Sequence, residues 1–548
     1  MRAIPECIKN KKTGEMKMKR IFCIILTLVM LLGIVGCGNK PVENPDDQKD
    51  PGTETVGDPS AMPAVTTIDA NTKFQKEIVV AQYGDLPVMD TMGSNDIIYG
   101  AVFMMVYERL VHQNKATNEL EPELAKKWEI SDDGLTYTFY LEENAKFHNG
   151  DPVLASDVVY TFNRAKEQPS ASAKVASVES VEALDEHTVK ITLSAPNADF
   201  MYNISYQTLS ILSEKAIAAD PVEGLKVGCG PYKLTEWVSG DHCTVVRNDD
   251  YYGQKPYTEK FTFKVMTEAS ARLIALQSGD VDICLNPDKV ELNIVRDDEN
   301  IELLQVKGVK MYYIVMNTTK APFDNVKVRQ AVALVTEKDD MIAVAAEGLA
   351  SVAHTFFPPE MNPYTCEDYD SYYPTDYEKA KSLLAEAGYP DGFEIEFLAR
   401  DEARVLQAQL LAESLKQIGI TMKITQCDTA AMRSAIKDKS YDICGYNWSN
   451  SLAPDMSCSD LFATGKGDNN SHFSEPWFDE TAQKALATSD VNERAKLYHE
   501  MQKFVMDRAP LIPLYYENMY IAVDKNLENF ALDNCNLNDY TYCYIVEG

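Results

Sequence analysis

From Lys73 to the last residue the chain alternates short β-patterned runs with helical ones. That alternation excludes an all-helical or all-β domain and predicts layered α/β or α+β architecture. The stretch is too long for one hydrophobic core, so two or three domains are expected. Strands are predicted at Glu77–Gln82, Thr136–Leu141, Thr188–Leu193, Phe261–Val265, Val309–Asn317, Phe393–Leu398, Thr421–Thr425 and Leu511–Ala522. A hairpin is predicted from Gly230–Trp237 and Cys243–Arg247 around Ser239-Gly240-Asp241. Helices are predicted at Asp96–Val111, Ala155–Ala165, Glu268–Ser278, Val326–Val335, Asp339–Ala346, Tyr377–Ala387, Glu402–Ile418 and Val491–Asp507. Gly279 and Gly388 stand where a left-handed residue would close a helix. There is no internal repeat.

The amino-terminal part has a different character. Lys17, Lys19 and Arg20 precede an uncharged run from Ile21 to Val35 that ends in Gly36-Cys37. A short cationic region, an apolar core and a small residue at the cut have the form of a secretory signal, and the core is shorter than a transmembrane span requires. The tetrad Ile34–Cys37 resembles a bacterial lipobox, which implies cleavage before Cys37 and a lipid on its sulfur. Residues 1–36 are therefore expected to be a signal peptide, of which 1–15 read as surplus sequence, with translation starting at Met16 or Met18. Residues 37–72, rich in Pro, Asp, Gly and Thr with few large apolar side chains, read as a lipidated, disordered tether.

The sequence holds 84 acidic and 52 basic residues. Beyond residue 36 the balance is 82 to 45, a net of −37, which argues against nucleic acid and against direct docking on anionic lipid. A solvated acidic surface or a taste for cationic ligands are the two readings of that charge. Twelve cysteines include three at or before the lipid site; the remaining nine contain no C-x-x-C and are odd in number, unlike a disulfide framework or a zinc ribbon. No two of the seven histidines lie within five residues of each other, so no local metal pair is expected. H-E-x-x-H and G-x-S-x-G are missing, and Gly228-Cys229-Gly230 runs into Pro231-Tyr232 rather than into a helix, so a dinucleotide loop is excluded. No catalytic residues, metal or cofactor are expected, and the chain is not read as an enzyme.

Several phrases carry a resemblance. They are Leu120–Trp128 (LEPELAKKW), Ser131–Phe139 (SDDGLTYTF), Lys146–Pro152 (KFHNGDP) and Asp157–Phe162. They continue with Gly228–Leu234 (GCGPYKL), Arg247-Asn248, Tyr251–Gly253, Ser278–Ile283, Met316-Asn317, Pro322–Asp324 and Val328–Ala331. Lys379-Ala380, Leu383-Leu384, Gly388–Phe393, Tyr441-Asp442, Trp448, Asn470 and Ala509–Pro513 complete the series. In order, over residues 75–522, they resemble the peptide/nickel (dipeptide/oligopeptide) solute-binding proteins of ABC importers, the bacterial extracellular solute-binding family 5. Read physically, most are turns, caps and helix entries that mark a skeleton and not a ligand.

The resemblance implies a two-lobed α/β periplasmic-binding-protein fold, type II and cluster C, with a small domain inserted in the first lobe. It implies a first lobe from 73–96, 203–308 and 519–548, an insertion at 97–202 and a second lobe at 309–518, with crossings near 305–312 and 515–522. A monomer that closes on ligand about a hinge, delivers it to the permease subunits of an ABC importer and sits lipid-anchored at the outer face of the cell membrane is the expectation. Peptide is the expected ligand; a nickel chelate, an oligosaccharide or a modified peptide, or a sensing role with the same fold, are alternatives. Tyr441–Asp455 resembles the family's ligand-contacting loop, which makes Tyr441 and Trp448 candidate contacts. Peptide binders of the family place an aspartate three residues after the tryptophan, to pair with the ligand ammonium, and often an arginine three residues before it. Here these are Ser451 and Gly445, with Asp455 as a substitute carboxylate. Arg400, with Arg404 competing, resembles the arginine that dipeptide binders fork onto the ligand carboxylate.

Overall fold

The computed structural model describes residues 72–547 apart from 86–87, 94–97, 99, 115–118, 367–371, 450–452, 531 and 536. Cys37, the tether and Ser451 lie outside the described residues. Among the described residues no helix is long and apolar enough to cross a membrane.

Three sheets organise the described chain. In the first, Glu77–Gln82 is flanked by Lys260–Val265 and Ile283–Leu285, both parallel to it. The hairpin Tyr232–Val238 and His242–Arg247 extends one side. The other side continues with Met519–Asp524, inserted antiparallel between Ile283–Leu285 and the edge strand Ile301–Val306. Ile78 and Val80 are fully buried on one face of this sheet, and Ala81 on the other packs with Leu273 and Leu276 of the helix Ala269–Ser278. That alternation is what a strand covered on both faces requires. Gly279 closes the helix at φ 77°, the left-handed position glycine takes without strain.

The second sheet has the order Ala350–Val352, Leu511–Glu517, Lys310–Met316, Ile443–Ser449, Phe393–Ala399, Ile420–Gln426. Its central strand, MYYIVM from Met311 on, is buried along its whole length and feeds two cores. Ile314 and Met316 face one that includes Leu411 and Leu415 of the helix Glu402–Lys416, and Met311 and Tyr313 face one with Tyr498 and Met501 of Val491–Arg508. A third, antiparallel sheet joins Ala125–Ile130, Thr136–Leu141, Thr188–Leu193 and Val178–Ala183. Its inner face shares one continuous core with the first sheet, through Phe139, Phe162 and Phe200.

Two expectations need correction. The predicted helix Asp96–Val111, whose described part is Gly100–Val106, ends at Val106, and Val111–Gln113 pairs as a strand with Leu120–Pro122. Tertiary partners take the backbone away from the helix. The Glu108 carbonyl accepts from Ile211, and those of Arg109 and Leu110 accept from Leu124 and Ala125. The single strand predicted over Leu511–Ala522 is two, Leu511–Glu517 and Met519–Asp524, which belong to different sheets and meet at Asn518. The chain passes between the same two sheets a second time at 307–309. A Cβ on Gly308 would lie 2.2 Å from the Glu517 carbonyl oxygen, so the two crossings run against each other at a point where only glycine fits.

Candidate ligand cleft

A cavity of about 930 Å³ opens between the first and second sheets, beside the two crossings. Its walls are strongly aromatic, with Tyr202, Tyr206, Tyr251, Tyr252, Tyr542 and Trp448 among the bordering residues. Aromatic side chains offer large, rigid apolar area with a polar tip, which suits a wall that must grip a solute.

The wall next to the first sheet carries Glu108 and Arg109, just past the helix Gly100–Val106. Glu108 is 1% exposed and accepts hydrogen bonds from the Tyr251 hydroxyl at 2.6 Å and the Tyr252 hydroxyl at 3.0 Å. Burial, followed by repulsion from Glu123, raises its carboxyl to about 8, so it is uncharged at neutral pH. Arg109 forks onto Glu123 through Nε at 3.0 Å and Nη2 at 2.5 Å.

At the crossings the charge is arranged differently. Glu517, the last residue of its strand, accepts from Lys289 at 2.7 Å, Lys310 at 3.2 Å and the Tyr312 hydroxyl at 3.1 Å. Burial alone would raise its carboxyl, but attraction to Lys310 and Lys289 outweighs that and holds it below the usual glutamate value. Burial likewise pulls Lys310 down, and Glu517 more than restores it. Lys289, Lys310 and Glu517 all border the cavity.

A third contact ties the two sides together. Asp199 accepts from the Arg494 guanidinium and from the Asp455 backbone N–H at 2.9 Å, and the Ala198 N–H donates to the Leu486 carbonyl at 2.8 Å. The side chains of Arg494 and Asp199 are only 4% and 2% exposed. The Tyr364 and Tyr498 rings each lie 5.4 Å from the guanidinium.

Of the residues singled out in the sequence, Trp448 borders the cavity, at the end of the strand Ile443–Ser449 and paired in register with Met311. The other described candidates sit elsewhere. Arg400 and Arg404 both donate to the Asn447 side-chain oxygen, and their guanidinium groups lie over Tyr446 and Tyr312 at 5.2 and 4.9 Å. Neither borders the cavity. Tyr441 is 2% exposed in the second lobe's core, its hydroxyl donating to the Asn470 carbonyl. Asp455 begins the helix Pro454–Phe462, where its carboxylate accepts from Ser459; its neighbours Ala453 and Met456 reach the cavity instead. Burial, then Asp199, raises the Asp455 carboxyl to about 6. A Cβ at Gly445 would lie 2.8 Å from Arg404 Cγ and 3.1 Å from Phe397 Cζ, so Arg404 fills the space beside this strand. Glu108, Lys289, Lys310 and Glu517 were missed; they are far apart in sequence, and strand pairing alone joins Lys310 to Glu517.

Two lobes around a large aromatic cleft, joined by two adjacent chain crossings, are the architecture of a solute-binding protein. Residues 119–470 match the model of the bacterial extracellular solute-binding proteins, family 5 (middle region), and the chain belongs to that family. Heme-binding protein A of Haemophilus influenzae is 31% identical over 84% of this chain and 90% of its own length. The dipeptide-binding protein of Escherichia coli is 29% identical over 82% and 90%. Among solved structures, HbpA2 from Haemophilus parasuis superposes with a TM-score of 0.78 at 29% identity, covering 86% of this chain and all of its own.

Proposed function

We propose that this protein captures a peptide in the inter-lobe cleft and hands it to the membrane permease of an ABC importer. The carrying observation is the cavity itself. Its size of about 930 Å³ is at the upper end of the roughly 300–1,000 Å³ typical of ligand sites, with room for an extended chain of a few residues. Membership of a solute-binding family supports the reading, and so does the likeness to a relative named for dipeptides. The role is one of binding without catalysis. The first lobe, residues 73–96, 203–308 and 519–548, closes on the second, residues 309–518, about the paired crossings, and the insertion at 97–202 moves with the first. Trp448 is the aromatic contact, and Ser451 has replaced the carboxylate that relatives use for a ligand ammonium. Cys37 is lipidated and keeps the protein at the outer face of the cell membrane.

Native mass spectrometry of the gently purified protein identifies what it carries, and calorimetric titration measures it. Trp448→Ala is expected to weaken binding by about 2 kcal/mol, the usual cost of truncating a buried aromatic anchor, with little change in thermal stability. Equal affinity of the two proteins for the same peptide overturns the assignment of Trp448. Cys37→Ser should release the protein from the membrane fraction; undiminished retention refutes the anchor.

A further inference from the structure

The two lobes meet at a second place besides the paired crossings, and the contact there is polar. Asp199 stands just before the short helix Phe200–Ile204, whose Phe200 and Ile204 belong to the core of the first sheet. Its side chain is 2% exposed, yet it caps nothing in that helix. Among the described residues its carboxylate takes no hydrogen bond from its own lobe. Both oxygens accept from the second, Oδ1 from the Arg494 guanidinium and Oδ2 from the Asp455 N–H at 2.9 Å. One residue earlier, the Ala198 N–H donates to the Leu486 carbonyl at 2.8 Å, again in the second lobe.

The receiving side is built in advance. Arg494 lies on the helix Val491–Arg508, which packs into the second lobe's core through Tyr498 and Met501. Its guanidinium is 5.4 Å from the Tyr364 and Tyr498 rings and donates to the Tyr498 hydroxyl at 3.3 Å. Those contacts survive if Asp199 withdraws, and water can replace the carboxylate. A buried ion pair comes close to break-even against the hydration of its two members. Such a contact holds when shut and separates at small cost, whereas an apolar junction loses the full value of its burial on parting. A longer-range attraction crosses the same boundary. Lys174, 8% exposed, lies 4.3 Å from the Tyr206 ring, and burial pulls its ammonium down to about 8 against the attraction of Asp460 on the helix Pro454–Phe462.

The contact is also tied to the cleft through the chain. Tyr202, three residues past Asp199, borders the cavity, and so do Ala453 and Met456, which flank Asp455. Asp199 and Arg494 themselves do not border it. We propose that Asp199 and Arg494 form a releasable latch that holds the lobes shut over a bound solute, and that they are positioning residues which set how slowly the solute leaves without touching it. This goes beyond the proposed function and rests on its reading that the lobes close. The latch bonds do not involve the solute, so they favour the shut form of the empty protein as well.

The test begins with Asp199→Ala, which removes both bonds to the carboxylate and no side-chain contact within its own lobe. Circular dichroism melts check that it folds. Asp199→Asn, which keeps an acceptor for the guanidinium, decides if it does not. Tri-alanine is the probe, its binding and release followed by stopped-flow tryptophan fluorescence of the whole protein. Small-angle X-ray scattering gives the radius of gyration with and without the peptide. Release from Asp199→Ala is expected about tenfold faster than from wild type with association little changed, since affinity differences of this kind fall on the dissociation rate. Its radius without peptide should exceed the wild-type value, and Asp199→Asn should fall between the two on both counts. Release and radius unchanged in both variants overturn the latch; if wild type still contracts on tri-alanine, the closing of the lobes stands without it. Wild type that binds tri-alanine with no contraction removes the closure reading and the latch together. If tri-alanine does not bind, the radii decide: a larger value in Asp199→Ala supports the latch, and an equal one overturns it.

Discussion

Two carboxyl groups border the same cavity and end in opposite states. Glu108, on the wall of the first lobe, is buried among tyrosines and keeps its proton. Glu517, at the crossings, is partly reached by solvent, holds two lysines and stays ionised. The difference is not depth alone. A hydroxyl can stabilise either form of a carboxyl group, whereas an ammonium stabilises only the anion. Asp199 is as buried as Glu108, but its partner is a guanidinium.

The largest effect is expected where a buried charge loses its partner. Arg494→Met leaves Asp199 sealed between the lobes without its cation and should cost about 3–5 kcal/mol of stability in chemical denaturation. Adding Asp199→Asn to Arg494→Met should recover a good part of that loss; strict additivity of the two changes would mean that the pair is not coupled.

The next effect is a pH dependence of definite sign. Because the Glu108 carboxyl is raised, its contribution is fully present below the ordinary glutamate value of 4.5 and is lost as pH climbs through about 8. Wild-type protein should therefore lose stability over that range through this one residue. Glu108→Gln, which keeps an acceptor for the two tyrosines, should flatten the slope. An unchanged slope would show that Glu108 is ionised and that the contrast with Glu517 is empty.

The smallest effect runs the other way. The Glu517 carboxyl is lowered, so its contribution is present above 4.5 and fades as the solution is acidified. Glu517→Gln should remove about 1 kcal/mol of that acid-side dependence, a modest figure because the lysines are 35% and 41% exposed and solvent screens them. A fall as large as that of Arg494→Met would show that the crossings depend on this charge for their geometry.

Much of the frame was legible in the sequence, because strand and helix patterns report local periodicity. Thr136–Leu141, Thr188–Leu193 and Tyr377–Glu386 lie within one residue of their predicted ends. The errors fall where the backbone serves a distant partner, as at Glu108–Leu110, or changes sheets at Asn518. The site was harder to read. Trp448 came from resemblance to relatives, and the same resemblance pointed to Arg400 and Tyr441, which serve the second lobe's interior here. The partnership of Lys310 and Glu517 spans 207 residues and follows from register between two strands, which no local pattern encodes.

The first sheet has its seam late in the chain. Met519–Asp524 lies between two strands made more than two hundred residues earlier, so Ile283–Leu285 and Ile301–Val306 have no neighbour on that side while the intervening residues are made. A ribosome releasing this chain amino-terminus first leaves two open strand edges exposed for most of that time, a state that invites pairing with other chains. A premature stop at Asn518 would make the exposure permanent: it removes Met519–Asp524 and cuts the edge strand Ile301–Val306 off from the rest of the first sheet.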